Sequence, residues 1–349
     1  MIHTARRIHN NIQQQIDRFT DLIPVELHAL WDKSDAQFVR SRMVGSNVMA
    51  NPTYWYSPSS RHQLGFWTFN ESDRLPHGEV VQETTLLSLL DDVTAELATR
   101  LTAILNGNKL QIGFTVNLNT KRTGFSSSAR LFYFDARSIE LTGRKAIIEC
   151  PLYDAESGKQ LMIAHATFVF IPSNEIAAKL KSIGSNEQNG TRDQLLLLFD
   201  KSETQTLDAS DLHDLSQVMN ILPHGLVSHK AGSFSADKQR VAVLVDFNDN
   251  LNGPPNHVHG GILATVMCNV SELLYFMATG ISKHLSLASV RDIDYRKGVP
   301  TESKDVTVDA IVKDMSATKV IIVAKLTHGP KTYAILTTTF TIPVRASKL

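Results

Sequence analysis

The chain has 349 residues, 42% of them apolar and 20% charged, with 35 Lys and Arg against 35 Asp and Glu. At about 150 residues per domain the length predicts two domains with cores that need no staples, and the composition excludes wholesale disorder. Zero net charge argues against a dedicated nucleic-acid binder; two cysteines, Cys150 and Cys268, make neither a disulfide framework nor a zinc site, and no apolar run approaches the ~18 residues of a membrane span.

Residues 1–60 read as an extension. They are helical early, on the spacing of Ile8, Ile12, Ile16, Phe19, Leu22 and Ile23, and irregular over 51–60. Residues 1–16 lack acids, faintly like a mitochondrial presequence, and contain no apolar stretch of the secretory kind. A first domain follows over 61–172. Residues 63–69 form its first strand, 70–78 a loop and 80–105 a long helix stopped by Asn106-Gly107-Asn108. Stretches 111–120, 129–151 and 160–172 are β-like, with a turn at 154–158. Residues 173–236 read as a partly helical connector.

The second domain, 237–344, repeats this order. Residues 240–247 alternate as a strand and 248–256 are turn-rich. His257-Val258-His259-Gly260-Gly261 then leads into an apolar helix over 262–278, with Gly280 as its stop. Strands are expected at 286–295, at 305–325 as a pair broken near 314–317, and at 332–343. A tail, 345–349, carries Ser347-Lys348-Leu349, a peroxisomal address read by an import receptor. The two domains overlay at an offset of 177 residues: Val81 on Val258, Leu86-Leu87 on Leu263-Ala264, Val93 on Val270. After the helices, Lys121-Arg122 falls near Arg296-Lys297. Such a unit present twice is the mark of two fused copies of a domain that otherwise dimerises.

The segment His259-Gly260-Gly261-Ile262-Leu263-Ala264-Thr265, between a strand and an antiparallel set, resembles the hotdog-fold acyl-CoA thioesterases of the phenylacetate-pathway branch. The resemblance covers about residues 60–172 and 236–343. It implies an α+β double hotdog in which each unit is a curved antiparallel sheet wrapped around a long central helix. The activity it implies is hydrolysis of an acyl-CoA to free acid and coenzyme A, with no cofactor or metal. A helix N-terminus offers unpaired N–H groups and positive potential to a developing oxyanion, and Gly260 and Gly261 let a ligand approach closely. The family also places an Asp nine residues after the motif His; here that position is Cys268, followed by Asn269. The overlay finds the acid in the first domain, at Asp91, with Asp92 beside it, while Gln82-Glu83-Thr84 stand where H-G-G would be.

The resemblance therefore implies one composite site: Gly261 and His259 from the second domain and Asp91 from the first, with Glu272 as a substitute acid. Asn252 or Asn256 would orient water or the carbonyl, and Gly260, Arg122, Arg296 and Lys297 would contact coenzyme A. Two adjacent acids cannot share a helix face, so one of Asp91 and Asp92 is expected to meet water. Cys268 reads as a core residue. Two rival readings stay open: a non-catalytic acyl-CoA-binding module, and a hotdog enoyl-CoA hydratase. Association into homo-oligomers also stays open.

Overall fold

Alternating burial marks the strands of both halves, and each half closes its apolar face on one long helix. The computed structural model describes residues 13–24, 50–69, 83–107, 111–124, 130–171, 204–207, 227–248, 251–281 and 287–342, apart from 15, 51, 252, 254, 255 and 302. The chain divides into two compact units, Met1–Ala178 and Lys179–Leu349.

Unit 1 runs β1 (Ile23–Pro24), β2 (Thr53–Ser57), β3 (His62–Thr68), α1 (Glu83–Leu105), β4 (Ile112–Arg122), β5 (Leu131–Leu141), β6 (Lys145–Asp154) and β7 (Gln160–Ile171). Its strands pair antiparallel in the order β1-β2-β3-β5-β6-β7-β4. α1 lies against β4, β5, β6 and β7. Leu87, Leu90, Val93 and Leu97 are fully buried on it, and Phe134, Ile148 and Ala166 are fully buried on the sheet. Each such Leu or Val contributes about 1.5–3 kcal/mol of apolar burial.

Unit 2 runs β8 (Thr204–Thr206), β9 (Val227–Ser235), β10 (Arg240–Phe247), α2 (Gly260–Thr279), β11 (Leu287–Tyr295), β12 (Val306–Met315), β13 (Lys319–His328) and β14 (Lys331–Thr341). Within it the order is β8-β9-β10-β12-β13-β14-β11, antiparallel throughout. α2 is apolar and long enough to cross a membrane, but its residues are mostly buried against β10, β12, β13 and β14. It stops at Gly280, which takes φ 70° and returns its N–H to the Phe276 carbonyl; an L side chain resists that left-handed conformation.

The two units share one topology. In each, a two-strand hairpin precedes the helix and four strands follow, the first of the four taking the edge away from the hairpin. The helices open at Glu83 and Gly260, the offset of the sequence overlay.

Several expectations need correction. Thr53–Ser57 is a strand rather than irregular, because Tyr54 and Tyr56 turn into the core in strict alternation. Ile23 is not helical: with Pro24 it pairs with Tyr56 and Trp55. Val227–Ser235, placed in the connector, belongs to the sheet of unit 2. The stretch 129–151 is two strands, turned at 142–144. The connector also supplies β8, Thr204–Thr206, while residues 173–203 and 208–226, the 70–78 loop and the 345–349 tail lie outside the described residues. The N-terminal segment has a definite seat on unit 1. Phe19 packs on the His62 ring at 5.2 Å, Arg18 meets the Asp135 carboxylate, and Asp21 accepts from the Ser57 hydroxyl and the Ser59 amide.

Candidate functional site

In unit 2 the chain reaches α2 through a short braced loop. His257 bridges Pro300, Val258 N–H donates to the Val299 carbonyl, and Thr301 N–H donates to the Asn256 carbonyl. Two glycines make this packing possible. A Cβ on Gly253 would stand 2.8 Å from His259 Cα, and one on Gly298 would stand 2.2 Å from His257 Cδ2. His259 then caps the helix: its Nδ1 accepts from the Gly261 N–H at 3.0 Å. An imidazole that accepts there carries no proton on Nδ1.

This corrects the expected donor. The Gly261 N–H is spent on His259, whereas the Gly260 N–H, one residue earlier at the helix mouth, makes no hydrogen bond among the described residues. Gly260 is thus the better candidate to meet an oxyanion. Its carbonyl accepts from the Tyr295 hydroxyl at 2.8 Å, a contact with no signal in the sequence. His259 is 5% exposed and structural in its visible role. Asn256 is exposed with φ 60°, a turn position that asparagine tolerates; Asn252 lies outside the described residues.

Unit 1 holds the acid. Asp91 is 1% exposed and Asp92 0%, against the expectation that one would face water. Burial around almost the whole of α1 explains it, since 18 of its 23 residues are buried. The Thr115 hydroxyl on β4 donates to Asp91 Oδ1 at 3.0 Å, and sequence reasoning missed this partner. Thr115 sits beside a register shift between Thr115 and Asn117. Such bulges re-aim side chains next to functional sites.

The same shift recurs in unit 2 between Ala288 and Val290. Thr115 and Ala288 each oppose a phenylalanine, Phe168 and Phe340, and Asn117 and Val290 each oppose a threonine, Thr167 and Thr339. This fixes the structural overlay of the strands. Asp91 with Thr115 in unit 1 corresponds to Cys268 with Ala288 in unit 2: both members of the polar pair have become apolar together. Cys268 is buried in the core of α2, and burial pushes the other thiol, Cys150, well above its ordinary pKa, which keeps it inert.

The register also moves the counterpart of Arg122. Arg122 opposes Met162 and Tyr295 opposes Ala334, so Arg122 corresponds to Tyr295, not to Arg296. Each reaches the first residue of its helix. Arg122 bonds the Glu83 carboxylate at 3.1 Å and the Gly124 carbonyl at 2.9 Å; Tyr295 bonds the Gly260 carbonyl. Arg122 thus serves a helix-mouth ion pair rather than standing ready for a nucleotide phosphate. Arg296 and Lys297 are exposed on the segment leading to the braced loop, Arg296 beside Asp294 at 3.1 Å. Glu272, the substitute acid, is tied to the buried Arg291 at 2.9 Å; unit 1 has Ala95 and Leu118 there. Among the described residues no group of three or more His, Cys, Asp or Glu could hold a metal.

No protein-family model and no curated protein sequence matches the chain. Solved structures do. The tesB protein of Mycobacterium avium subspecies paratuberculosis superposes with a TM-score of 0.50 at 10% identity, over 87% of this chain and 99% of that one. A protein assigned as a thioesterase II from Thermobifida fusca gives 0.50 at 9% identity, over 86% and 98%. At these identities the likeness speaks to architecture alone: the chain has a hotdog fold.

Proposed function

We propose that the chain is an acyl-CoA thioesterase of the double-hotdog kind, related to the phenylacetate-pathway branch, with one composite site per chain. The observation that carries this reading is the complementary loss between the units. Unit 1 keeps a buried carboxylate with its hydroxyl partner, Asp91 and Thr115, and fills its helix mouth with Glu83 and Arg122. Unit 2 keeps the glycine helix mouth and has Cys268 and Ala288 where the acid pair would be. Neither set alone performs thioester hydrolysis; together they supply a donor for the oxyanion and a base.

The chemistry follows. The thioester oxygen meets the Gly260 N–H at the positive end of α2, which stabilises the charge that develops when the carbonyl carbon is attacked. Asp91, oriented by Thr115, takes a proton from the attacking water, or attacks the carbon itself to give an anhydride that water then opens. The C–S bond breaks, the thiolate of coenzyme A leaves and takes a proton, and the free acid remains. The reaction needs no redox cofactor or metal. Arg296 and Lys297 supply positive charge for the nucleotide phosphates of coenzyme A. Ser347-Lys348-Leu349 directs the chain to the peroxisome, which a fluorescent fusion with and without these residues would test.

Release of free thiol from a panel of short to long acyl-CoAs is the test, with wild type and Asp91→Asn in parallel. The reading expects hydrolysis that falls at least about a hundredfold in the variant, with acyl-CoA binding kept. Hydrolysis that survives the substitution removes Asp91 from the mechanism. Binding without hydrolysis of any acyl-CoA favours the non-catalytic module, and hydration of a trans-2-enoyl-CoA favours the hydratase.

A further inference from the structure

The carbonyl of Gly260 and the N–H of Gly261 belong to one peptide plane. That plane is held at both ends by side chains: the Tyr295 hydroxyl donates to Gly260 O at 2.8 Å, and His259 Nδ1 accepts from Gly261 N at 3.0 Å. Glycine on both sides makes it the peptide in the helix mouth with the least steric resistance to rotation. The two holding residues come from different elements. His259 closes the loop and Tyr295 ends β11. Both are largely buried, so neither bond is readily exchanged for water.

We infer that His259 and Tyr295 are a pair of positioning residues that clamp the Gly260–Gly261 peptide plane from its two ends, and so hold the adjacent Gly260 N–H in the direction a substrate oxygen requires. The catalytic consequence rests on the thioesterase reading; the clamp itself does not. Neither side chain touches the reacting atoms. In the clamp His259 acts through an Nδ1 that accepts, and Tyr295 through its hydroxyl proton. Release of either end leaves the plane to the other side chain and to the helix's own bond at the Gly260 carbonyl, so that it turns more easily. The two residues are therefore coupled although they bond different atoms.

The test is a double-variant cycle of Tyr295→Phe and His259→Ala, with His259→Asn as the conservative replacement whose side-chain oxygen can cap the same N–H. Each single loss is expected to lower kcat about 10- to 100-fold with KM changed little, since a donor displaced by about 1 Å loses that much. The double variant should fall little below the worse single one, and His259→Asn should stay near wild type. Amide hydrogen exchange supplies an arm independent of activity. Tyr295→Phe, which alters only the carbonyl end, should speed exchange at the Gly261 N–H. Multiplicative kinetic losses, or Gly261 exchange unchanged in Tyr295→Phe, overturn the clamp. If the wild type hydrolyses no acyl-CoA, the proposed function falls, and the exchange measurement still decides the clamp.

Discussion

Replacing Gly253 with alanine should damage the helix mouth without substituting any residue that bonds there. The new Cβ would stand 2.8 Å from His259 Cα, 3.2 Å from its Cδ2 and 3.3 Å from its Cβ. Carbon atoms in contact prefer about 3.5–4.0 Å, so the loop and the His259 backbone must separate by roughly 0.7–1.2 Å. Rotating a side chain cannot relieve a clash with a Cα. Overpacking of this kind costs about 1–3 kcal/mol, and a shift near 1 Å next to Gly260 lowers turnover by up to about a hundredfold. Gly280→Ala is the matched control: it loses about 1 kcal/mol from its φ of 70° and has nothing within 4 Å of the added carbon. Thermal melting and thiol release, measured on both variants, separate the effects. Both should melt lower, and Gly253→Ala alone should lose turnover. Wild-type turnover in Gly253→Ala, or an equal loss in Gly280→Ala, would refute the close-packing argument.

Thr115→Val keeps the shape of the side chain and removes the hydroxyl that Asp91 Oδ1 accepts from; turnover should drop about tenfold and stability by about 1–3 kcal/mol, so full activity in this variant would detach Thr115 from the mechanism. His229 on β9 has its pKa lowered by burial to about 4 from 6.5. The unfolded chain takes up that proton below pH 6.5 and the folded chain does not until about pH 4. Stability therefore falls with pH across that window, by at most about 3 kcal/mol, and urea midpoints from pH 4 to 7 should lose that part of the slope in His229→Gln. The Arg291–Glu272 pair is asymmetric: Arg291 is 2% exposed while the Glu272 side chain is 21% exposed. Glu272→Ala takes the carboxylate away from a buried cation and should cost up to about 3–5 kcal/mol. Arg291→Leu together with Glu272→Ala copies Leu118 and Ala95 of unit 1 and should recover much of that loss in a denaturant melt.

The elements were legible where hydrophobic period and punctuation agree. The helix over 262–278, its stop at Gly280 and the strand over 240–247 all appear in place, because long apolar periodicity bounded by glycine leaves little choice. Short aromatic strands were not legible. Thr53–Ser57 is only five residues long and lies between turn-like stretches, so its alternation was outweighed. The glycine helix mouth was visible as a motif, but which N–H stays open depends on where the His259 ring points, which a sequence does not carry. Thr115 and Tyr295 were hidden for a related reason: their partners Asp91 and Gly260 lie 24 and 35 residues away, and only the strand register brings them together. The bulge that sets that register has no sequence signature of its own.

The strand-end contact with the first helical residue occurs in both units with different chemistry, Arg122 on the Glu83 side chain in one and Tyr295 on the Gly260 backbone in the other. Each unit is therefore a ready-made blueprint for rewriting the other. Gly260→Glu together with Tyr295→Arg would import the charged version into unit 2, at a spot whose backbone already accommodates it 177 residues earlier. A folded protein with a blocked mouth would result, which is a sharper inactivation than deleting a side chain. The reverse exchange, Glu83→Gly with Arg122→Tyr, asks whether the glycine and tyrosine version can replace the ion pair at the start of α1. Two units of one topology carry their own record of substitutions that the architecture tolerates, readable inside a single chain.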